Sequence, residues 1–159
     1  MDDNWYNTWD DKWHLRYLKI AAEIAQWSKD PSTKIGAVCV GMSGQILSQG
    51  YNGFPRGIDD HDQRLNDRET KYKYTIHAEM NCIYNASLSG ISLNGSSLYV
   101  YGLPICHECA KGVIQSGIKN VYCTFADLSD KWADSWVLSQ AMFSEAKITF
   151  GIFNIDSVK

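Results

Sequence analysis

The sequence has no run of about 18 apolar residues, so no segment reads as a membrane span. It also has no excess of positive charge. Fifteen Lys and Arg stand against 18 Asp and Glu, a net charge of -3. Affinity for nucleic acid comes largely from clustered positive charge, so a polyanion-binding surface is not expected. The opening Met1-Asp2-Asp3-Asn4-Trp5 lacks the basic and apolar regions of a secretory signal. The chain therefore reads as soluble and cytosolic, with no membrane and no nucleic acid among its partners. It contains no internal repeat and no Ser/Gly linker that would divide it. What it does have is 159 residues, 45% of them hydrophobic and 13% aromatic. That is enough to bury one core without disulfides, and it excludes a disordered chain. One domain over residues 1-159 is expected.

Apolar periodicity outlines the elements. Tyr17, Ile20, Ala21 and Ile24 fall at helical spacing within a first helix over Lys12 to Ser28. Ile35 to Val40 and Gln45 to Tyr51 read as two strands joined by a turn at Gly41 to Gly44, a hairpin. Asn52 to Tyr74 is a long polar segment with few large apolar residues, and loops of that length are usually functional or disordered. Helices follow at His77 to Ser87, His107 to Ser116 and Trp132 to Ser144. Strands fall at Ser97 to Gly102, Asn120 to Phe125 and Lys147 to Phe153. The order α-β-β-α-β-α-β-α-β implies an α/β fold: a three-layer α/β/α sandwich on a mixed five-stranded sheet. Trp5, Trp9 and Trp13 recur every four residues. They form a stripe for this chain's own core or for a partner subunit, and the first reading is preferred.

Five cysteines is an odd number with uneven spacing. Cys39 and Cys123 sit inside strands and Cys82 inside a helix, where a free cysteine acts as a small buried hydrophobe. Cys106 and Cys109 differ, because their C-x-x-C spacing suggests chemistry. A second short segment, His77-Ala78-Glu79, also opens a helix. Alone, each signal is weak. Together they supply one imidazole and two thiolates, the three protein ligands of a catalytic zinc with one position open. Two helix N-termini facing the metal would favour the thiolates. Glu79 is then placed beside the open position as general acid and base. A redox pair at Cys106 and Cys109 would leave His77 and Glu79 without a role. A structural site would need a fourth ligand, nominally His107.

H-x-E followed by P-C-x-x-C marks the zinc-dependent nucleobase deaminases. Further segments resemble one branch of them, the deoxycytidylate (dCMP) deaminases. These are Gly50-Tyr51-Asn52-Gly53-Phe54-Pro55, Lys29 through Val38, His77 through Asn81, and Cys109-Ala110-Lys111 through Ile118. The resemblance spans about residues 13-125, the expected catalytic core. It departs at one place, where Ile105 stands between Pro104 and Cys106.

The resemblance implies a cytidine deaminase-like fold and hydrolysis of dCMP to dUMP and ammonia, which supplies dUMP for thymidylate synthesis. It implies one catalytic Zn2+ per chain on His77, Cys106 and Cys109, since the long segment offers only His61 for a second ion. Glu79 would move protons, and the Ala78 backbone would hold the cytosine carbonyl. Asn52 would meet the sugar, although Asn-Gly is also a common turn. Candidate phosphate donors are Ser28, Thr33 and Lys34, with Lys29 more simply a solvated surface residue. Such enzymes are typically hexamers, activated by dCTP and inhibited by dTTP. The effector site would involve Gly50, Asn52, Gly53, Phe54, Pro55, Arg56 and Asp59, with Mg2+ accompanying the triphosphate. Three rivals share the motifs: a tRNA or single-stranded nucleic-acid base deaminase, a nucleoside or free-base deaminase, and a zinc-stabilised binding module without activity.

Overall fold

In the computed structural model, residues 8-126 and 130-159 are described, with residues 8-10, 130 and 131 by backbone alone. Trp5 and the side chain of Trp9 therefore lie outside the described residues. Trp13 is half-exposed, against Tyr17 and beneath the Arg16 guanidinium.

The first helix, α1 (Thr8-Ala25), buries Leu18, Ala21, Ile24 and Ala25. Ile20, expected on the buried face, is 38% exposed, and Leu18 takes its place. The helix ends three residues earlier than expected. Gln26, Trp27 and Ser28 close it with tighter i-to-i-3 bonds to Glu23, Ile24 and Ala25. The strands are β1 (Gly36-Val40), β2 (Ile46-Tyr51), β3 (Ser97-Tyr101), β4 (Asn120-Phe125) and β5 (Thr149-Asn154). They form one mixed sheet in the order β2-β1-β3-β4-β5. β1 runs antiparallel to both β2 and β3, while β3, β4 and β5 are parallel. Every residue of β1 is buried, as a central strand covered on both faces must be.

The period of two along β1 divides the core. Val38 and Val40 face α1 together with Leu18, Ala21 and Tyr99. Ala37 and Cys39 face the opposite layer, with Cys82, Val100, Val113, Cys123 and Phe143. That layer consists of α4 (Ala78-Leu88), α5 (His107-Gln115) and α6 (Asp130-Glu145). Cys39, Cys82 and Cys123 are fully buried free thiols in this core. α1 approaches the sheet closely because residue 36 is glycine: a Cβ there would collide with the Ala21 carbonyl and lie 2.6 Å from the Ala25 nitrogen. A short 3-10 helix, Ile155-Val158, returns the chain towards α1. No helix among the described residues is long and apolar enough to cross a membrane.

The long polar segment differs from expectation. It contains two short helices, α2 (Asp62-Asn66) and α3 (Arg68-Tyr74). Their signals are polar rather than apolar, which is why hydrophobic periodicity missed them. His61 caps α2 by accepting the Arg64 N-H, Thr70 donates to the Asp67 carboxylate at 2.5 Å, and Glu69 pairs with Lys73 one turn on.

Candidate active site

Two helix starts meet at the site. His77 is the N-cap of α4 (φ -67°, ψ 153°) and Cys106 the N-cap of α5 (φ -70°, ψ 159°). Cys109, one turn further, donates its N-H to the Cys106 sulfur at 3.5 Å. The His77 Nδ1 lies 3.5 Å from the Cys106 Sγ and 3.3 Å from the Cys109 Sγ. Among the described residues this is the one cluster of three His, Cys, Asp or Glu ligand atoms, all within 4.8 Å of one another. His107 is turned away, with its Nδ1 2.9 Å from the Ser135 Oγ, and supplies no fourth ligand.

The protons in this cluster are unevenly held. Hydrogen bonding from Cys109, helped by His77, holds the Cys106 thiol down at about 4 despite burial. Its hydrogen bond to Cys106 pushes His77 up to about 9. Cys109 is driven well above the ordinary thiol value by its bond to Cys106 and by burial. Cys106 is thus the readier thiolate of the two, and a divalent ion would displace the protons that remain. An imidazole with two sulfurs is a donor set suited to zinc. Glu79 stands beside the cluster, 3% exposed. Burial raises its carboxyl above the usual carboxylate value, and the His77 charge opposes that rise.

The cluster opens into a cleft of about 230 Å3. Of the sequence candidates, His77, Glu79, Cys106, Asn52 and Thr33 line it. The Asn52 side chain is 4% exposed and spans the loop before β1: its Oδ1 accepts from the Ile35 N-H at 2.9 Å and its Nδ2 donates to the Thr33 carbonyl at 2.8 Å. Ser28 and Lys34 do not line the cleft. Ser28 is buried, donating to the Asn52 carbonyl at 2.8 Å, and Lys34 is exposed. Lys29 pairs at the surface with Asp60 at 3.0 Å. Ala78 is fully buried at the start of α4.

Sequence reasoning missed another part of the wall, formed by Asp30, Ser32, Arg68, Lys71 and Tyr72, and the Trp132 side. Lys71 is 4% exposed, a rare state for a lysine. Its Nζ reaches the Asp30 carboxylate at 3.1 Å and the Ser32 Oγ at 3.3 Å. Burial alone would raise the Asp30 carboxyl, but the Ser32 and Thr33 N-H groups and Lys71 together hold it below its ordinary value. The Asp-Pro-Ser-Thr run carried a local signal for the first half of this arrangement, an Asx-type turn. Nothing local marked Lys71.

The region from residue 11 to 125 matches the family described as the cytidine and deoxycytidylate deaminase zinc-binding region. The chain belongs to that family. It is 38% identical to the deoxycytidylate deaminase of Homo sapiens, over 89% of this chain and 80% of that protein. It is likewise 38% identical to a deaminase encoded in the luxG 3' region of Aliivibrio fischeri, over 93% of this chain and 98% of the relative. The fold resembles that of dCMP deaminase from cyanophage S-TIM5 in its apo form, with a TM-score of 0.70 and 24% identity over 89% of this chain and 98% of that one.

The residues that this deaminase family's pattern offered as an effector site fall in different places. Gly53, Phe54, Pro55 and Arg56 line a second cleft of about 230 Å3 with Tyr84 and Asn85 of α4. Arg56 donates to the Asn85 side chain, and Phe54 stacks on Tyr74. Gly50 is buried outside this cleft. A Cβ there would run into the α4 backbone, 2.8 Å from the Ala78 carbonyl. Asp59 accepts the His61 N-H at 3.2 Å and does not line this cleft. Gly53 exchanges both backbone hydrogen bonds with Ile76, the residue before His77.

Proposed function

We propose that this chain hydrolyses dCMP to dUMP and ammonia, as one cytoplasmic domain over residues 1-159 with its catalytic core at about 13-125. The observation that carries the reading is the buried Glu79 beside a His77, Cys106 and Cys109 donor set on a cleft wall. A purely structural metal site gives no reason for a buried carboxylate there. The human relative is a deoxycytidylate deaminase, which supports the deoxynucleotide substrate.

His77, Cys106 and Cys109 would hold one zinc ion, which when bound supplies Lewis-acid activation of the attacking water. Glu79 takes a proton from that water and hands it to N3 of cytosine as the new bond to C4 forms. It then delivers the water's second proton to the amine. The C4-N bond breaks, ammonia leaves and the C4 carbonyl of dUMP remains. A carboxyl raised by burial is suited to returning protons near neutral pH. Ala78 lies in the first turn of α4, so its N-H has no intrahelical partner and can serve the cytosine carbonyl. Asn52 meets the sugar, with Ser28 holding its backbone. Thr33 meets the phosphate together with Ser32 and Arg68, and exposed Lys34 adds only long-range attraction.

The second cleft is read as the effector site, activated by dCTP and inhibited by dTTP with accompanying Mg2+, in a hexamer. Its support is the Gly53-Ile76 bond pair, which joins that segment to the residue before His77. One ultraviolet assay tests the whole. With dCMP, dCTP, cytidine, cytosine and a cytosine-containing oligonucleotide offered, dCMP reacts. Turnover of the oligonucleotide alone overturns the substrate. At sub-saturating dCMP, dCTP raises and dTTP lowers the rate, and a flat response to both removes the second cleft from regulation.

A further inference from the structure

We propose that Ser135 and Ser139 of α6 are positioning residues that clamp the Cys106 turn for metal binding. This rests on reading His77, Cys106 and Cys109 as a metal site, and it concerns a helix beyond the family match, which ends at residue 125.

The two serines stand one helical turn apart, so they share a face of α6. That face meets the peptides on either side of Cys106. Ser139, fully buried, donates its hydroxyl to the Ile105 carbonyl at 2.7 Å. Ser135 accepts the His107 N-H at 3.0 Å and lies 2.9 Å from the His107 Nδ1. His107 opens α5, and its N-H is one of the helix's orphan donors, so Ser135 satisfies from outside what the helix cannot. The Ile105 side chain is fully buried in the core cluster that contains Trp136 of α6. Ile105 is also the residue that separates Pro104 from Cys106, where the family's motif has proline directly before the cysteine. A rigid proline next to the ligand would restrict the turn by itself. Here Ile105 precedes the ligand instead, and α6 restrains the turn with one hydrogen bond before the ligand and one after it. The direction of the Cys106 Sγ towards His77 depends on that backbone. The two hydroxyls therefore act on metal binding through Cys106, without touching substrate.

The test reads the metal rather than the reaction. Ser135→Ala, Ser139→Ala, Ser135→Thr and, as a control on the same helix, Ser144→Ala are loaded with zinc in competition with a chromophoric chelator. They are also loaded with Co2+ to record its thiolate absorption. Loss of an outer partner of a metal ligand weakens binding by about 10- to 100-fold. That loss is expected for each alanine variant at position 135 or 139, with a shifted Co2+ spectrum. Ser135→Thr, which keeps an oxygen, and Ser144→Ala are expected to match the wild type. Melting of the metal-free proteins serves as the folding control. If Ser139→Ala does not fold, partly exposed Ser135 carries the test alone. Wild-type affinity and spectrum in folded Ser135→Ala, or equal loss in Ser135→Ala and Ser135→Thr, overturns the clamp while leaving the metal site intact. A wild-type chain that takes up neither ion overturns both.

Discussion

One part of the cleft wall is built from His77, Glu79 and Cys106, and another from Asp30, Ser32, Arg68 and Lys71. Both parts bury charge, but they stabilise it differently. At the first, the chain supplies donors and a buried carboxyl whose protons are unevenly shared, an arrangement that the proposed zinc ion would complete. At the second, Lys71 and Asp30 neutralise each other, and backbone N-H groups of Ser32 and Thr33 finish the job. In the proposed reaction the first does the chemistry. At the second, the Asp30-Lys71 pair and its backbone donors form a closed network that holds the loop before β1 in place, while Arg68 lines the cleft beside it.

Three substitutions sharpen that contrast, beginning with the largest effect. Glu79→Gln keeps the shape of the side chain and removes the proton carrier. Turnover should fall by about 10²- to 10⁴-fold with stoichiometric zinc retained, as measured by steady-state rate and elemental analysis. A variant that still turns over would place Glu79 with the structural charges. Asp30→Asn should instead leave the chemistry intact and cost stability. It strands a buried lysine, at about 3 kcal/mol or more in urea unfolding. Adding Lys71→Met should recover most of that loss, because removing both charges is far cheaper than removing one.

The same pair carries a pH dependence. The folded Asp30 carboxyl lies below its ordinary value, so its contribution is complete above about pH 4 and is lost as pH falls through the depressed folded value. Asp30→Asn should therefore flatten the acid-side fall in melting temperature. The smallest effect separates two cations. Arg68→Ala should raise KM for dCMP by about 10-fold through loss of a charge-assisted contact, while Lys34→Ala changes it little. The reverse order would return the phosphate to the exposed lysine.

Legibility in the sequence followed the same divide. His77-Ala78-Glu79 and Cys106 through Cys109 are each contained within one helical turn, so their spacing survives any packing of the chain. The helices hidden between Asn52 and Tyr74 were not legible, because their capping is polar and their one deeply buried residue is a lysine. Ile20 was assigned to the core by a period that Leu18 serves as well, and only contact with β1 and β3 distinguishes the two.

From its residues alone, this chain determined that two helix starts would offer an imidazole, two sulfurs and a neighbouring carboxyl. Capping positions and one-turn spacings are local geometry, and they need no partner to be defined. Tertiary structure alone decided that Lys71 would meet Asp30 across 41 residues and that Ser139 would reach Ile105 across 34. A buried charge or hydroxyl takes whichever partner the packing of distant elements brings within about 3 Å, and no run of neighbouring residues encodes that distance.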